Sequence, residues 1–252
     1  MALCRERGVC QMNTKVYIHE FINVVGHNRA RYMQHMAANW SPLAQEERGQ
    51  LCYGIWGVVG STGRWPQVVN IWEEDGFDGL ADSLRHELGH RDLQDPALAR
   101  WWAAAAGMRS GGFDRILVPH PEMPTIEELV RGEHRGVAYA HEVLTTGPGS
   151  ARWFLDATWE DAEKAGANRG WRLTGAWCTA MRNRDECVLL WTVPTWESWA
   201  GAESDAAQGR ELLPRAEVFV RTRQRILLAD APLSPTRTGR QPSRDDRVDW
   251  TD

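Results

Sequence analysis

Histidine is the side chain here that titrates near neutrality, and its placement is uneven. His19, His27, His35, His86, His90, His120 and His134 all precede residue 136, and only His141 follows it. An imidazole with a pKa near pH 7 can give or take a proton in a transition state. His27, Arg31 and His35 are spaced i, i+4, i+8, along one side of a helix. His86 and His90 are also four apart. His19, His86 and His90, aided by Arg31 and Tyr32, are the candidate catalytic set. Such a set would move a proton beside a carbonyl or a leaving group, as in an isomerase, lyase or cyclase. Tyr17, Phe21, Tyr53, Trp56, Trp72 and His35 are the candidate substrate walls, in a chain with 14 tryptophans. His86-Glu87-Leu88-Gly89-His90 matches the zinc-protease string His-Glu-x-x-His. Gly89 weakens the helix that string needs, and no third ligand stands at the downstream zincin spacing. No metal is therefore assigned.

These residues sit in a chain that repeats itself. Tyr17-Ile18-His19-Glu20 returns as Tyr139-Ala140-His141-Glu142, Trp56 as Trp177, and Trp72 as Trp191, each roughly 120 residues later. Arg115-Ile116-Leu117-Val118 answers Arg225-Ile226-Leu227-Leu228. Each copy reads as β-α-β-β-α-β, the split βαβ unit. In the first, strands are expected over 16–24, 51–59, 66–73 and 113–118, with helices from Gly26 to Gln45, Asp75 to Leu88 and Pro96 to Met108. In the second, strands are expected over 136–144, 171–179, 187–191 and 224–228, with helices over 150–165, 195–204 and 214–221. The domains read as a flexible leader (1–14), a first repeat (15–119), a linker (120–135), a second repeat (136–232) and a disordered tail (233–252). The tail is Pro-, Ser-, Thr- and Arg-rich with little to bury. The helices of the second repeat lack histidine, so the first repeat is the expected active half.

Composition narrows the partners. A net charge of -5 and a pI near 5.9 argue against nucleic acid, which wants a basic face. No apolar run reaches 18 residues, so no membrane span is expected. The start lacks the apolar core of a signal peptide, and five cysteines without metal spacing read as reduced, which suits the cytoplasm. No phosphate loop, dinucleotide fingerprint or nucleophile elbow occurs.

The strand order, the tyrosine-bearing first strand followed by Gly26, and the tryptophan ending the third strand resemble the tandem dimeric α/β-barrel proteins of the ferredoxin-like superfamily, and within them NIPSNAP-like proteins. The resemblance covers about residues 15–230. It implies an α+β fold in which two ferredoxin-like repeats pack sheet to sheet as a pseudo-dimer, with possible further homo-oligomers. It also implies a small-molecule substrate and one of three roles: cofactor-free enzyme, haem enzyme, or non-catalytic ligand-binding protein. The expected pocket lies between the sheet and the helices of the first repeat. The Arg85–His90 segment is similar in position to a histidine-bearing segment of the superfamily's cyclases. Alternation puts Tyr17, His19 and Phe21 on one face of the first strand and Glu20 on the other. Glu20 and Glu142 are then expected at the barrel seam, as interface salt bridges or as carboxyls of raised pKa. A structural role is expected for His141, hydrogen-bonded across the barrel.

Overall fold

A computed structural model describes residues 12–247 except 211 and 214, and only the backbone of 163, 167 and 168. Eight antiparallel strands close a barrel: β1 (Val16–Val24), β2 (Leu51–Val58), β3 (Gln67–Glu74), β4 (Arg109–Pro119), β5 (Ala138–Thr146), β6 (Arg172–Ala180), β7 (Glu186–Val193) and β8 (Val220–Asp230). Their order is β1-β3-β2-β8-β5-β7-β6-β4. Each repeat thus supplies four strands in the same internal order. The seams are β2 against β8 and β4 against β6. Closure leaves no free strand edge, the usual route to unwanted pairing.

Helices cover the outside. Half one carries α1 (Arg29–Gln34), a π-helical segment (His35–Trp40), α2 (Ser41–Arg48), α3 (Gly76–Leu88) and α4 (Pro96–Ala105). Asp95 caps α4 by accepting from the Ala97 and Leu98 amides, just ahead of Pro96. A short helix, α5 (Ile126–Arg131), forms inside the expected linker. Half two carries α6 (Ala151–Arg169) and α7 (Trp196–Ala206). The expected helix over 214–221 is a single 3-10 turn, Ala216–Phe219. No helix among the described residues is long and apolar enough to cross a membrane.

Alternation along each strand divides the core into three parts. Inside the barrel lie Tyr17, Tyr53, Trp56, Val69, Ile71, Tyr139, Trp177, Val188 and Leu190, stoppered by Met123, Ile126 and Leu129 from the linker. Between sheet and helices lie Tyr32, Met36, Trp40, Trp72 and Trp101 in half one, and Phe154, Leu155, Trp171 and Trp191 in half two. The repeat extends to its irregularities: β2 is bulged between Cys52 and Gly54, and β6 between Leu173 and Gly175. Each bulge glycine lies under the indole two residues on. A Cβ on Gly54 would meet the Trp56 ring at 2.1 Å, and one on Gly175 the Trp177 ring at 1.9 Å. Gly54→Ala and Gly175→Ala should each cost about 1–3 kcal/mol by overpacking. Urea titration checks this; an unchanged midpoint would show that the indoles are not seated there.

The described part of the tail, residues 233–247, packs on the barrel where disorder was expected. Gln241 bonds both the N–H and the C=O of Cys52 at 3.0 and 2.8 Å, and the Ile55 amide donates to the Ser234 hydroxyl at 3.1 Å. A short helix, α8 (Pro235–Thr238), follows Ser234, which is fully buried. Few apolar side chains are needed, because the tail satisfies backbone groups of the bulged strand β2. The expected leader falls mostly outside the described residues. Asn13 is an exception, donating to the Tyr17 hydroxyl and to the Met123 carbonyl. The described cysteines, Cys52, Cys178 and Cys187, are free thiols.

Candidate functional site

The expected site residues occupy three separate places. Tyr17, His19, Phe21, Tyr53 and Trp56 point into the barrel, whereas Tyr32, His35 and Trp72 lie between sheet and helices. Arg31 is exposed on α1, and His86 and His90 sit at the far end of α3. The pocket expected between sheet and helices therefore cannot be walled by Tyr17, Phe21, Tyr53 and Trp56. Alternation tells which residues share a face, but not which face meets the helices.

Inside the barrel the two repeated histidines meet. His19 Nε2 lies 2.9 Å from His141 Nε2, with the rings near parallel at 10° and both side chains fully buried. Phe21 stands edge-on to both. One N–H shared between two such nitrogens requires at least one neutral ring to accept it, and burial favours the neutral form of both. Burial pushes both below the ordinary imidazole range. For His19 its partner's charge acts next and Arg115 after it; for His141 Arg115 follows burial directly. Arg115 is itself held by Glu186 at 2.7 Å. A carbonyl or carboxylate partner was expected across the barrel, and each histidine has the other instead. Nearby, Glu73 accepts from the Tyr17 hydroxyl and from the Ile126 amide at the start of α5, both at 2.9 Å. This interior is packed with aromatic and aliphatic side chains.

The other face of β1 carries Glu20. Contrary to the seam expectation, it points into the helix layer. Its Oε2 accepts from Asn70 Nδ2 at 2.9 Å and from the Trp72 indole N–H at 3.0 Å. No arginine lies within ion-pair distance of it among the described residues. Its cross-strand neighbour on β4 is another acid, Asp114. Burial first and Asp114 second push the Glu20 pKa up, against weaker lowering by Trp72, Asn70 and Arg109. Desolvation also raises Asp114. The buried Tyr32 hydroxyl and Asn70 carbonyl oxygen have no partner in good hydrogen-bond geometry, although Arg109 and Asn70 both approach the hydroxyl. Burial and the charge of Glu20 raise the Tyr32 pKa, while Arg109 opposes the rise. The Arg109 guanidinium stacks on Trp102, 3.0 Å from the ring centroid. Glu20 is half-buried as a residue, with its carboxyl turned into the layer.

The same position in half two differs in charge. Glu142 also takes an indole N–H, from Trp191 at 3.4 Å. Its register neighbour on β8 is Arg225, which bonds it at 2.6 Å, with Arg223 at 3.8 Å. Leu189 stands where half one has Asn70. Glu142 is thus salt-bridged, but within its own repeat and not across the seam, whereas burial and Asp114 push the Glu20 carboxyl up.

A haem in the half-one helix layer would need an imidazole free to face it. His35 is the histidine there, and both its ring nitrogens are engaged: Nε2 with the Trp101 carbonyl at 3.1 Å and Nδ1 with Asn39 at 2.9 Å. Its ring stacks on Trp101 at 4.9 Å. These residues do not fit haem.

Glu20, Asn70, Arg109 and Asp114 were not selected from sequence. The clue was present in the repeated His-Glu pair, but reading it needed the β4 and β8 registers.

This fold is the dimeric α/β-barrel, here made from one duplicated chain. No family model and no curated protein matches the chain. Among solved structures, a "putative monooxygenase" from Lactobacillus acidophilus aligns at TM-score 0.58 and 10% identity, over 92% of this chain and 97% of that one. An anthrone oxidase-like protein aligns at TM-score 0.59 and 10% identity, over 86% and 92%. A NIPSNAP family protein from Agrobacterium tumefaciens aligns with 42% of this chain and 92% of its own, at 17% identity and TM-score 0.34. At these identities the likeness is one of fold, which hosts many chemistries.

Proposed function

We propose that the protein is a cofactor-independent enzyme that moves a proton on a small apolar or aromatic metabolite, with Glu20 as the acid–base group in the helix layer of half one. The observation that carries this reading is the contrast between the repeats. One copy of a duplicated carboxylate is tied to arginine; the other keeps its indole bond, gains an amide and faces an acid. A carboxyl whose pKa is raised toward the working pH is suited to general acid–base catalysis. The Tyr32 hydroxyl would donate to a substrate carbonyl, and Arg109 would hold the negative charge that forms as Glu20 removes the adjacent proton. Trp72, Trp101 and Met36 supply an apolar surround. One structural neighbour is named an anthrone oxidase-like protein, and a name of that kind agrees with an aromatic substrate. Protonation of the resulting anion elsewhere gives an isomerase, loss of a leaving group a lyase, and attack on a second carbonyl a cyclase.

The test is hydrogen–deuterium exchange by NMR into a panel of enolisable aromatic ketones. Wild type and Glu142→Gln should accelerate exchange in at least one member, and Glu20→Gln should not. Exchange that survives Glu20→Gln but is lost in Glu142→Gln would place the chemistry in the other half.

A further inference from the structure

We infer that half one carries a divalent transition-metal site, of the zinc class, formed by His86, His90 and Asp95 on the outer side of the helix layer. One potential donor atom of each residue lies within 4.8 Å of the other two. His86 Nε2 and His90 Nε2 stand 3.9 and 4.0 Å from Asp95 Oδ1. Ligand edges around tetrahedral zinc are about 3.3 Å, given bonds of about 2.0–2.1 Å, so closing on an ion means contracting the two carboxylate edges by roughly 0.6–0.7 Å and the imidazole pair by up to about 1.5 Å. Glu47 Oε2, at the end of α2, lies 3.8 Å from His86 Nε2, beside this trio.

A second observation points to a ligand. His86 Nε2 is buried, directed into the cluster, and has no hydrogen-bond partner. A buried nitrogen of that kind usually has one. Asp95 is fixed from behind. Its carboxylate caps α4, and Arg48 lies 3.6 Å from Oδ2, on the side away from the imidazoles. Two imidazoles and one carboxylate form a donor set that suits zinc and similar ions. The His90 side chain is 39% exposed, which leaves an entry path and a position for water.

α3 ends at Leu88, with Gly89 as its cap, so His90 is not helical. Glu87, the general base in a protease of this string, is bound to Arg48 at 2.9 Å. The site is thus not built for hydrolysis. The third ligand was missed because Asp95 reads in sequence as a helix cap, which it also is. A metal here would join the end of α3 to the start of α4.

The test uses tag-free full-length protein stripped with a chelator, titrated with ZnCl2 by calorimetry and with CoCl2 by visible absorption. One ion per chain should bind at micromolar affinity or tighter. Co(II) should give the intense d–d bands of a four-coordinate site, and the thermal midpoint should rise. His86→Ala and His90→Ala should each weaken binding by at least about 100-fold, above the range for losing an outer-shell partner. Circular dichroism confirms that each variant is folded. Absence of one-to-one binding, or unchanged affinity in the double His86→Ala, His90→Ala variant, would overturn the site.

Discussion

Glu20→Gln is expected to lower turnover by about 10²–10⁴-fold while leaving the thermal midpoint close to wild type. The substituted amide keeps an oxygen to accept from Trp72 and Asn70, so the fold loses little. It has no proton to exchange, so the chemistry is lost. Glu142→Gln should do the reverse. It removes the charge paired with Arg225 and Arg223 in a nearly closed site and should cost about 1–3 kcal/mol, with turnover retained. The pH profile gives a further readout. If Glu20 acts as base, the rate rises with pH through a midpoint above the ordinary glutamate range, because burial and Asp114 favour its neutral form. Asp114→Asn should move that midpoint down by removing the second cause. A structural role for Glu20 would show neither effect.

His19→Ala and His141→Ala should each cost about 2–4 kcal/mol, and by similar amounts. Each substitution opens a cavity at the barrel centre and leaves the partner's Nε2 buried and unpaired. This replaces the sequence-based expectation that His19 is catalytic and only His141 structural. Both imidazoles have folded-state pKa values below the unfolded value of about 6.5. The unfolded chain then binds more protons, so their contribution is complete above that value and is lost as pH falls below it. The slope is at most about 1.4 kcal/mol per pH unit for each ring. Glu20, Glu73 and Glu74 are raised by burial and act with the opposite sign over an overlapping range, so wild-type stability alone would hide the pair. Denaturant titrations between pH 7 and pH 5, wild type against the double His19→Gln, His141→Gln variant, isolate it. A difference that does not change with pH would show that the rings do not lose a shared neutral state on protonation.

The duplication was legible because its landmarks are large and distinctive: the Tyr-x-His-Glu strand and the two tryptophan pairs. The barrel followed from those landmarks, since four-stranded sheets with helices on one face must cover the other. The functional face was not legible. Matching Arg115 to Arg225 by sequence is one residue out of step with the registers, which set Tyr17 against Leu117 and Tyr139 against Leu228. A slip of one residue exchanges the faces of a strand. It placed two arginines in equivalent positions, whereas Arg115 enters the barrel and Arg225 enters the helix layer. The true equivalent of Arg225 is Asp114, and that exchange of sign is what separates Glu20 from Glu142. Counting histidines gave a reason to favour half one, but the group that distinguishes it is a carboxyl. Asp95 was hidden differently: five residues after His90 and beyond a helix break, it returns to the histidines only through the turn between α3 and α4.

The most direct measurement needs no substrate. Carbon-13 NMR of the glutamate side-chain carboxyls, titrated with pH and assigned with Glu20→Gln, reports the protonation of Glu20 itself. A midpoint clearly above the ordinary value of about 4.3 is the predicted result. A Glu20 carboxyl that titrates at or below that value would contradict the central claim, because half one would then hold a paired carboxylate like its counterpart.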